Sequence, residues 1–310
     1  MIETLNHKKY NINLDSDGLL SYLFLKKFGL DVSIGGYNIS ERYIWSVHNK
    51  IDEMWEDIFL DIFSPRKGVT TIDQHIITTN EEQVSWFRNN TKINPHLNIE
   101  CHHAASTSYF TKFPFQTALF VIAMLEREGL EMKNAQYDAV LKKISNDVTF
   151  FDIILRADGV LENFVKYKDN VISWAEKLKV YSNNGENTTR IISYLLSLTD
   201  DVALAKTKAI SDFYIMNGLT KDGGYNNKRS PMENMRNIIR FVKSFQNYLD
   251  VKLNFVEVPM YEYAGIVERS SSPLNVNCYT LDTYAFVGKE RIQYTKDIKP
   301  TGNNCKMITF

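Results

Sequence analysis

The sequence lacks several features that would place the chain in a specialised class of protein. Its 310 residues contain three cysteines, Cys101, Cys278 and Cys305, too few and too far apart for a disulfide framework or a Cys-x-x-Cys metal knuckle. Free thiols are typical of a reducing compartment. No run of about eighteen apolar residues occurs, and the first four residues do not open a signal peptide. We therefore expect a cytoplasmic protein that does not enter a membrane.

The sequence also lacks an internal repeat, a low-complexity block and a strong net charge, which is −1 overall. This balance hides a split, because residues 1–155 carry about five more acidic than basic residues and residues 156–310 about four more basic than acidic ones. An acidic first half is typical of a cation site, and a basic second half suits a polyanionic ligand.

The composition that is present, 44% hydrophobic and 24% charged residues, is that of a globular protein large enough for one large or two medium domains. Short apolar strands alternate with helices at first, and the later pattern turns to mixed helix and strand. We predict an α/β domain over residues 1–190. A helical connection and a smaller α+β domain are expected over 191–310. One helix is expected from Ser40 to Met54, with Ser40 as its N-cap.

The first candidate site follows the first predicted strand, in the segment Asn13-x-Asp15-x-Asp17-Gly18 that opens a helix. Two aspartates at the carboxyl end of a first strand occupy the place where open α/β sheets bind ligands, which indicates a metal or phosphate site. The alternative is that Asp17 caps the helix and interacts with the positive end of its dipole.

Two further strands carry acidic residues at or near their ends. Asp61 interrupts an apolar strand, where a carboxylate is costly unless a cation or several hydrogen-bond donors compensate its charge. The alternative is that turn amides bind it. The next predicted strand runs directly into Asp73-Gln74-His75.

Later polar segments offer weaker candidates. In the adjacent pair His102-His103, neighbouring side chains on a strand would point to opposite faces, so at most one joins a given site. Ser106 and Thr107 precede an apolar helix and could receive a phosphate or simply cap that helix. The remaining candidates are Asp147 or Asp152 at a cleft, and the basic positions Lys228, Arg229 and Arg269 as phosphate contacts.

The order of these segments resembles the DHH phosphoesterase superfamily, which includes RecJ-type exonucleases and oligoribonucleases. The resemblance covers about residues 9–150 and implies a parallel sheet with helices on both faces. It implies that Asp15 and Asp17 bind different ions of a Mn²⁺ or Mg²⁺ pair and that Asp61 bridges both ions. Asp73, His75 and Asp147 correspond to further ligands, and His75 would also contact the scissile phosphate.

The resemblance implies a phosphodiesterase or exonuclease that hydrolyses single-stranded or short oligonucleotides through a water activated by two metal ions. A nucleotide is a further expected ligand, and a homodimer is an expected assembly. The chain departs from the family pattern at Asn13, where the family often has histidine or aspartate. It also departs at Gln74, where the family has a histidine ligand. One alternative is therefore a catalytically impaired relative that binds nucleotides or a protein partner, and another is an unrelated α/β protein whose aspartates are caps.

Overall fold

The computed structural model describes residues 1–39, 43–64, 67–75, 81–89, 91–101, 111–132, 143–145, 148–156, 159–226, 228–249, 252–264, 268–270, 292–294 and 297–309. Its helices are α1 (Ile2–Leu5), α2 (Ser16–Lys27), a 3₁₀ helix (Ile51–Glu56), α3 (Glu81–Arg88), α4 (Pro95–Asn98), α5 (Thr117–Arg127), α6 (Phe150–Arg156), α7 (Val160–Lys166), α8 (Lys168–Tyr181), α9 (Glu186–Ser197), α10 (Asp200–Met216) and α11 (Pro231–Leu249). Its strands are β1 (Lys8–Asn13), β2 (Val32–Asn38), β3 (Tyr43–Ser46), β4 (Ile58–Leu60), β5 (Thr71–Ile72), β6 (Lys92–Ile93), β7 (Lys143–Ser145), β8 (Val148–Thr149), β9 (Asn254–Ala264), β10 (Glu268–Ser270), β11 (Ile292–Tyr294) and β12 (Asp297–Thr309).

Eight of these strands form one sheet in the order β12-β9-β3-β2-β1-β4-β5-β6. The strands from β2 to β6 in that order are parallel, whereas β3, β9 and β12 pair in the antiparallel sense. The prediction of an α/β fold with a mostly parallel sheet is therefore confirmed. Strands β9 and β12 lie in the same sheet as β1, and the division of the chain into two domains stays a prediction.

The sheet has apolar side chains on both faces, as β4 illustrates. Ile58 and Leu60 belong to the main core, and Phe59 between them belongs to a second cluster with Met54 and Trp55 of the 3₁₀ helix. Since successive strand residues point to opposite faces, the two clusters lie on opposite sides of the sheet. A strand that is apolar at every position is typical of a parallel sheet covered on both faces.

Helix α5 lies at the centre of the helical layer. It packs against α2, α8 and α9, and its residues from Thr117 to Leu125 are fully buried. A helix that is apolar on all sides is stable only when other elements surround it. None of the described helices combines the length and apolar character needed to cross a bilayer.

The prediction of a helix from Ser40 to Met54 is wrong. Residues 40–42 lie outside the described part of the chain, but Tyr43–Ser46 is strand β3 and Ile51–Glu56 is a 3₁₀ helix. The segment Tyr-Ile-Trp is aromatic and β-branched, a composition that favours strands. It pairs with β2 on one side and with β9 on the other, so contacts distant in sequence determine its conformation.

Candidate metal centre

Three aspartates lie past the carboxyl ends of three neighbouring strands. Asp15 comes two residues after β1, and Asp61 and Asp73 directly follow β4 and β5. These strands are adjacent and parallel in the sheet, so their carboxyl ends meet at one edge. The topology thus brings together side chains that are far apart in sequence, at the edge where α/β sheets bind ligands.

Asp61, Asp73 and His75 form a compact group whose potential ligand atoms all lie within 4.8 Å of one another. It is the one such group of three or more acidic, histidine or cysteine side chains among the described residues. Asp61 and Asp73 are 3% and 1% exposed, and the His75 side chain is 21% exposed. Carboxylate oxygens and a histidine nitrogen form a donor set able to hold a divalent metal ion.

His75 is held in place by Asp73 on one side of the group. Its Nδ1 lies 2.7 Å from Oδ1 of Asp73, and its backbone N–H donates to Oδ2 of Asp73 at 3.3 Å. Asn94 donates from Nδ2 to the His75 carbonyl oxygen at 2.7 Å. These contacts fix the imidazole and leave its Nε2 facing Gln74, whose Nε2 lies 3.3 Å away. Gln74 is buried, so its amide packs beside His75 in the interior.

Asp61 has a left-handed backbone conformation, with φ 57°. Outside glycine this conformation is uncommon, although aspartate tolerates it better than most residues, and such strain is found most often at functional sites. The Asp61 N–H donates to the carbonyl oxygen of Ile72 at 2.8 Å, which ties the turn to β5. Its carboxylate accepts hydrogen bonds from Thr117 Oγ1 at 2.8 Å and from Asn13 Nδ2 at 3.2 Å.

The side-chain amide of Asn13 lies between two carboxylates. Its Nδ2 donates to Oδ2 of Asp15 at 2.5 Å and to Oδ2 of Asp61 at 3.2 Å. Its Oδ1 is buried without a hydrogen-bond partner among the described residues. An amide nitrogen thus faces the space between two acids, where a cation would also be attracted. If the amide turned over, Oδ1 would become an additional ligand atom for such a cation.

Asp15 also caps helix α2, because its Oδ1 accepts the N–H of Gly18 at 2.9 Å. Gly18 is required at this turn, since a Cβ there would lie 2.5 Å from the Asn13 carbonyl oxygen. Asp15 therefore has one oxygen bound to the helix and the other bound to Asn13.

Asp17 points to a different partner, the N-terminus of α5. Its Oδ2 accepts the N–H of Thr117 at 2.9 Å and its Oδ1 accepts the N–H of Ala118 at 2.8 Å. Asp17 thus binds the first amides of α5, whereas the N-cap of the helix that contains it is Asp15 and not Asp17. Asp17 is not part of the Asp61, Asp73 and His75 group.

The other predicted site residues divide into three sets: those outside the described residues, one aspartate in a separate buried network, and the basic residues on other elements. Asp147, Ser106, Thr107 and the pair His102-His103 lie outside the described residues. Asp152 is fully buried in a separate network, where its Oδ2 is 2.9 Å from Lys206 Nζ and its Oδ1 accepts a hydrogen bond from Tyr194 at 2.5 Å.

The predicted basic residues lie on other elements. Lys228 and Arg229 are exposed residues of the loop before α11, and Arg229 donates to the carbonyl oxygen of Gly218. Arg269 lies on β10, which pairs with β11 in a separate two-stranded sheet. The structure therefore does not bring Arg269 into the sheet that carries the acidic group.

Two neighbours of the group had no local signal in the sequence. Thr117 contacts both Asp61 and Asp17, yet it stands at the start of an apolar helix with nothing to mark it. Gly223 lies against the turn after Asp15, where its carbonyl oxygen accepts the N–H of Ser16 at 3.0 Å.

Comparison with known proteins identified no relative, since no family model, no curated protein and no solved structure matches the chain. The resemblance to the phosphoesterase superfamily therefore stays a prediction from its motifs.

Proposed function

We propose that the chain is a phosphodiesterase that depends on a divalent cation and hydrolyses single-stranded or short oligonucleotides. The observation that carries this proposal is the group of Asp61, Asp73 and His75 at the carboxyl edge of the parallel strands. Two buried carboxylates so close together repel each other, and a bound cation offsets that repulsion. Asp61, Asp73 and His75 would hold one Mn²⁺ or Mg²⁺ ion.

Asp15 supplies a further carboxylate on the other side of Asp61, linked to it through Asn13. Among the described residues, a second ion would be held best by the carboxylates of Asp15 and Asp61 and by the amide oxygen of Asn13. Asp61 would contribute its carboxylate to both ions. When bound, the ions would supply positive charge to a phosphodiester and make an attacking water more nucleophilic.

The chain's own residues have distinct roles in this proposal. Asp73 orients the His75 ring through its Nδ1, and second partners of this kind fix a histidine's tautomer. His75 is the most exposed member of the group, so a phosphate would approach the group from its side. Its Nδ1 is bonded to Asp73 and its Nε2 would bind the ion, so the ring would orient the site and not transfer a proton. Thr117 holds the Asp61 carboxylate in position through its hydroxyl.

The proposal is tested by cleavage of a labelled twelve-nucleotide oligothymidylate with and without Mn²⁺. We expect Mn²⁺-dependent cleavage that falls at least about 100-fold in Asp61→Asn and in His75→Gln, because each removes a ligand atom. Asp212→Asn on the exposed side of α10 is the matched control and should keep the wild-type rate. An unchanged rate in Asp61→Asn would refute the proposal.

A second candidate function is a nucleotide-binding protein without catalytic activity. It is favoured by the Asn13 amide between Asp15 and Asp61, since a neutral amide contributes less to cation affinity than a carboxylate. Titration calorimetry separates the two functions, because the catalytic proposal requires two Mn²⁺ ions per chain. Binding of nucleotides with no Mn²⁺ uptake would support the second function.

A further inference from the structure

Helix α11 has one apolar face and one basic face. Met235, Ile238, Phe241 and Val242 are buried in the core. Arg236, Arg240 and Lys243 are exposed on the other side of the helix, at the i, i+4 and i+7 spacing that aligns side chains along one face. We call these three residues the basic ridge.

The positive charge of the basic ridge is only partly offset by acids in the described part of the chain, where Glu233 interacts electrostatically with Arg236. None of its three residues forms an ion pair there, and the helix has no aspartate or glutamate between Asn234 and Leu249. Glu233, in the first turn, accepts hydrogen bonds from the N–H and hydroxyl of Ser230 at 2.9 and 2.8 Å. This acid therefore serves as part of the helix cap.

The N-terminal end of α11 is joined to a loop that contacts Ser16, the residue after Asp15. Asn234 exchanges two hydrogen bonds with the backbone of Asn226, at 3.0 and 3.1 Å. In the same loop Gly223 accepts the N–H of Ser16 at 3.0 Å. A Cβ on Gly223 would lie 2.2 Å from the Ser16 hydroxyl, so the loop is pressed against the residue that follows Asp15. The basic ridge therefore continues from a loop that lies next to Asp15, the carboxylate linked to Asp61 through Asn13.

The spacing of the ridge suits a chain of phosphates better than a single phosphate. Along the helix axis, Arg240 lies about 6 Å beyond Arg236, and Lys243 lies about 4.5 Å further. Long flexible basic side chains at such intervals can each contact a different phosphate of an extended strand, and a basic groove that follows the backbone is how single strands are bound without sequence preference.

We infer that the basic ridge binds the phosphate backbone of a single-stranded oligonucleotide whose end lies at the Asp61, Asp73 and His75 group. This inference rests on the proposed function for the chemistry at that group. It adds a binding surface of its own, which makes affinity increase with the length of the strand. Mononucleotides and dinucleotides would reach the acidic group without contacting the ridge.

The first experiment measures binding without hydrolysis. Fluorescence anisotropy of labelled twelve-nucleotide oligothymidylate is followed in EDTA over a range of salt concentrations, for wild type and for the triple variant Arg236→Gln, Arg240→Gln and Lys243→Gln. Each lost contact to a single strand lowers the slope of log K against log salt by about 0.7, so three contacts lower it by about 2. We expect that change together with an affinity at least about 10-fold weaker.

The matched control removes three exposed lysines elsewhere, in the variant Lys50→Gln, Lys166→Gln and Lys208→Gln. It lowers the net charge by the same amount and should bind like wild type. Equal weakening in both variants would mean that overall charge, and not the ridge, determines affinity, which overturns the inference. The inference is also overturned if wild type does not bind the oligonucleotide. It is overturned as well if polyglutamate binds wild type as tightly as the oligonucleotide does and loses the same affinity in the ridge variant.

The second experiment separates the inference from the proposed function. In Mn²⁺, the ridge variant should hydrolyse a dinucleotide at the wild-type rate and lose at least about 10-fold in kcat/KM on the twelve-nucleotide strand. If wild type cleaves the dinucleotide and the twelve-nucleotide strand with equal kcat/KM, the inference about the ridge is refuted and the proposed hydrolysis is not. Binding that depends on the ridge, with no cleavage of either substrate, would refute the proposed hydrolysis and support the ridge.

Discussion

Asp17 provides the sharpest test of how the site is built, because both of its oxygens are bound to α5. Replacement by asparagine leaves one acceptor and directs an amide N–H₂ at the N–H of Thr117 or Ala118. One hydrogen bond to a charged group is lost, at about 1.5–3 kcal/mol, and a buried N–H loses its partner. The carboxylate's attraction to the helix dipole is lost as well. We expect Asp17→Asn to reduce the free energy of unfolding by about 3 kcal/mol.

The assay is urea unfolding in EDTA, followed by circular dichroism, with Mn²⁺ calorimetry on the folded variant. Asp17→Asn should unfold at lower urea and still bind Mn²⁺ within about twofold of wild type, since both carboxylate oxygens of Asp17 are bound to the N-terminus of α5. Asp212→Asn, an exposed aspartate of α10, should change neither quantity. If Asp17→Asn unfolds like wild type but loses Mn²⁺ affinity, Asp17 is a metal ligand as the family resemblance implies, and the capping argument fails.

Three other changes have expected outcomes. Glu126→Gln should destabilise the protein by about 3 kcal/mol in urea unfolding, because the carboxylate accepts the N–H groups of Asn187 and Thr188 in the first turn of α9. Thr117→Val should weaken Mn²⁺ binding about 10-fold in calorimetry, because Asp61 loses a supporting hydroxyl. Burial lowers the pKa of the Lys92 amine to about 7, so between pH 7 and pH 9 the unfolded chain binds more protons than the folded one. Unfolding free energy should therefore rise by about 2 kcal/mol from pH 7 to pH 9, and Lys92→Met should remove that rise.

Each of these changes has its own control. Glu131→Gln alters an exposed glutamate near Glu126 and should leave stability unchanged. Thr117→Ser keeps the hydroxyl and should restore Mn²⁺ affinity, whereas equal loss in both variants would indicate a packing effect. Lys67→Met replaces an exposed lysine and should keep the wild-type pH profile. A flat profile in wild type would show that the Lys92 amine is not buried in the way described.

The acidic edge of the sheet could be predicted from the sequence because its signals are local. An apolar strand that stops at a carboxylate indicates both the end of the strand and the side chain at that end. Asp15 and Asp73 carry this signal, whereas Asp61 was expected within an apolar strand that in fact ends at Leu60. The parallel order of the three strands brings all three aspartates to one edge. The mostly parallel sheet was therefore predictable together with its candidate ligands.

Other parts of the structure were not predictable, because they depend on pairings between distant segments. Tyr43–Ser46 became a strand through its neighbours β2 and β9, and no pattern within the segment indicates those partners. The cap formed by Asp17 joins residues one hundred positions apart. An aspartate at the start of a helix gives the same local signal whether it caps that helix, another helix or a metal ion.

The position of β3 between β2 and β9 has a consequence for the order in which the protein is made. Tyr43 and its neighbours leave the ribosome long before their partners around Met260. Until β9 arrives, the nascent chain presents an unpaired aromatic strand edge, which is a template for pairing with other chains. Folding of the sheet is thus delayed by synthesis itself. We expect fragments that stop before β9 to associate and to require a chaperone during translation.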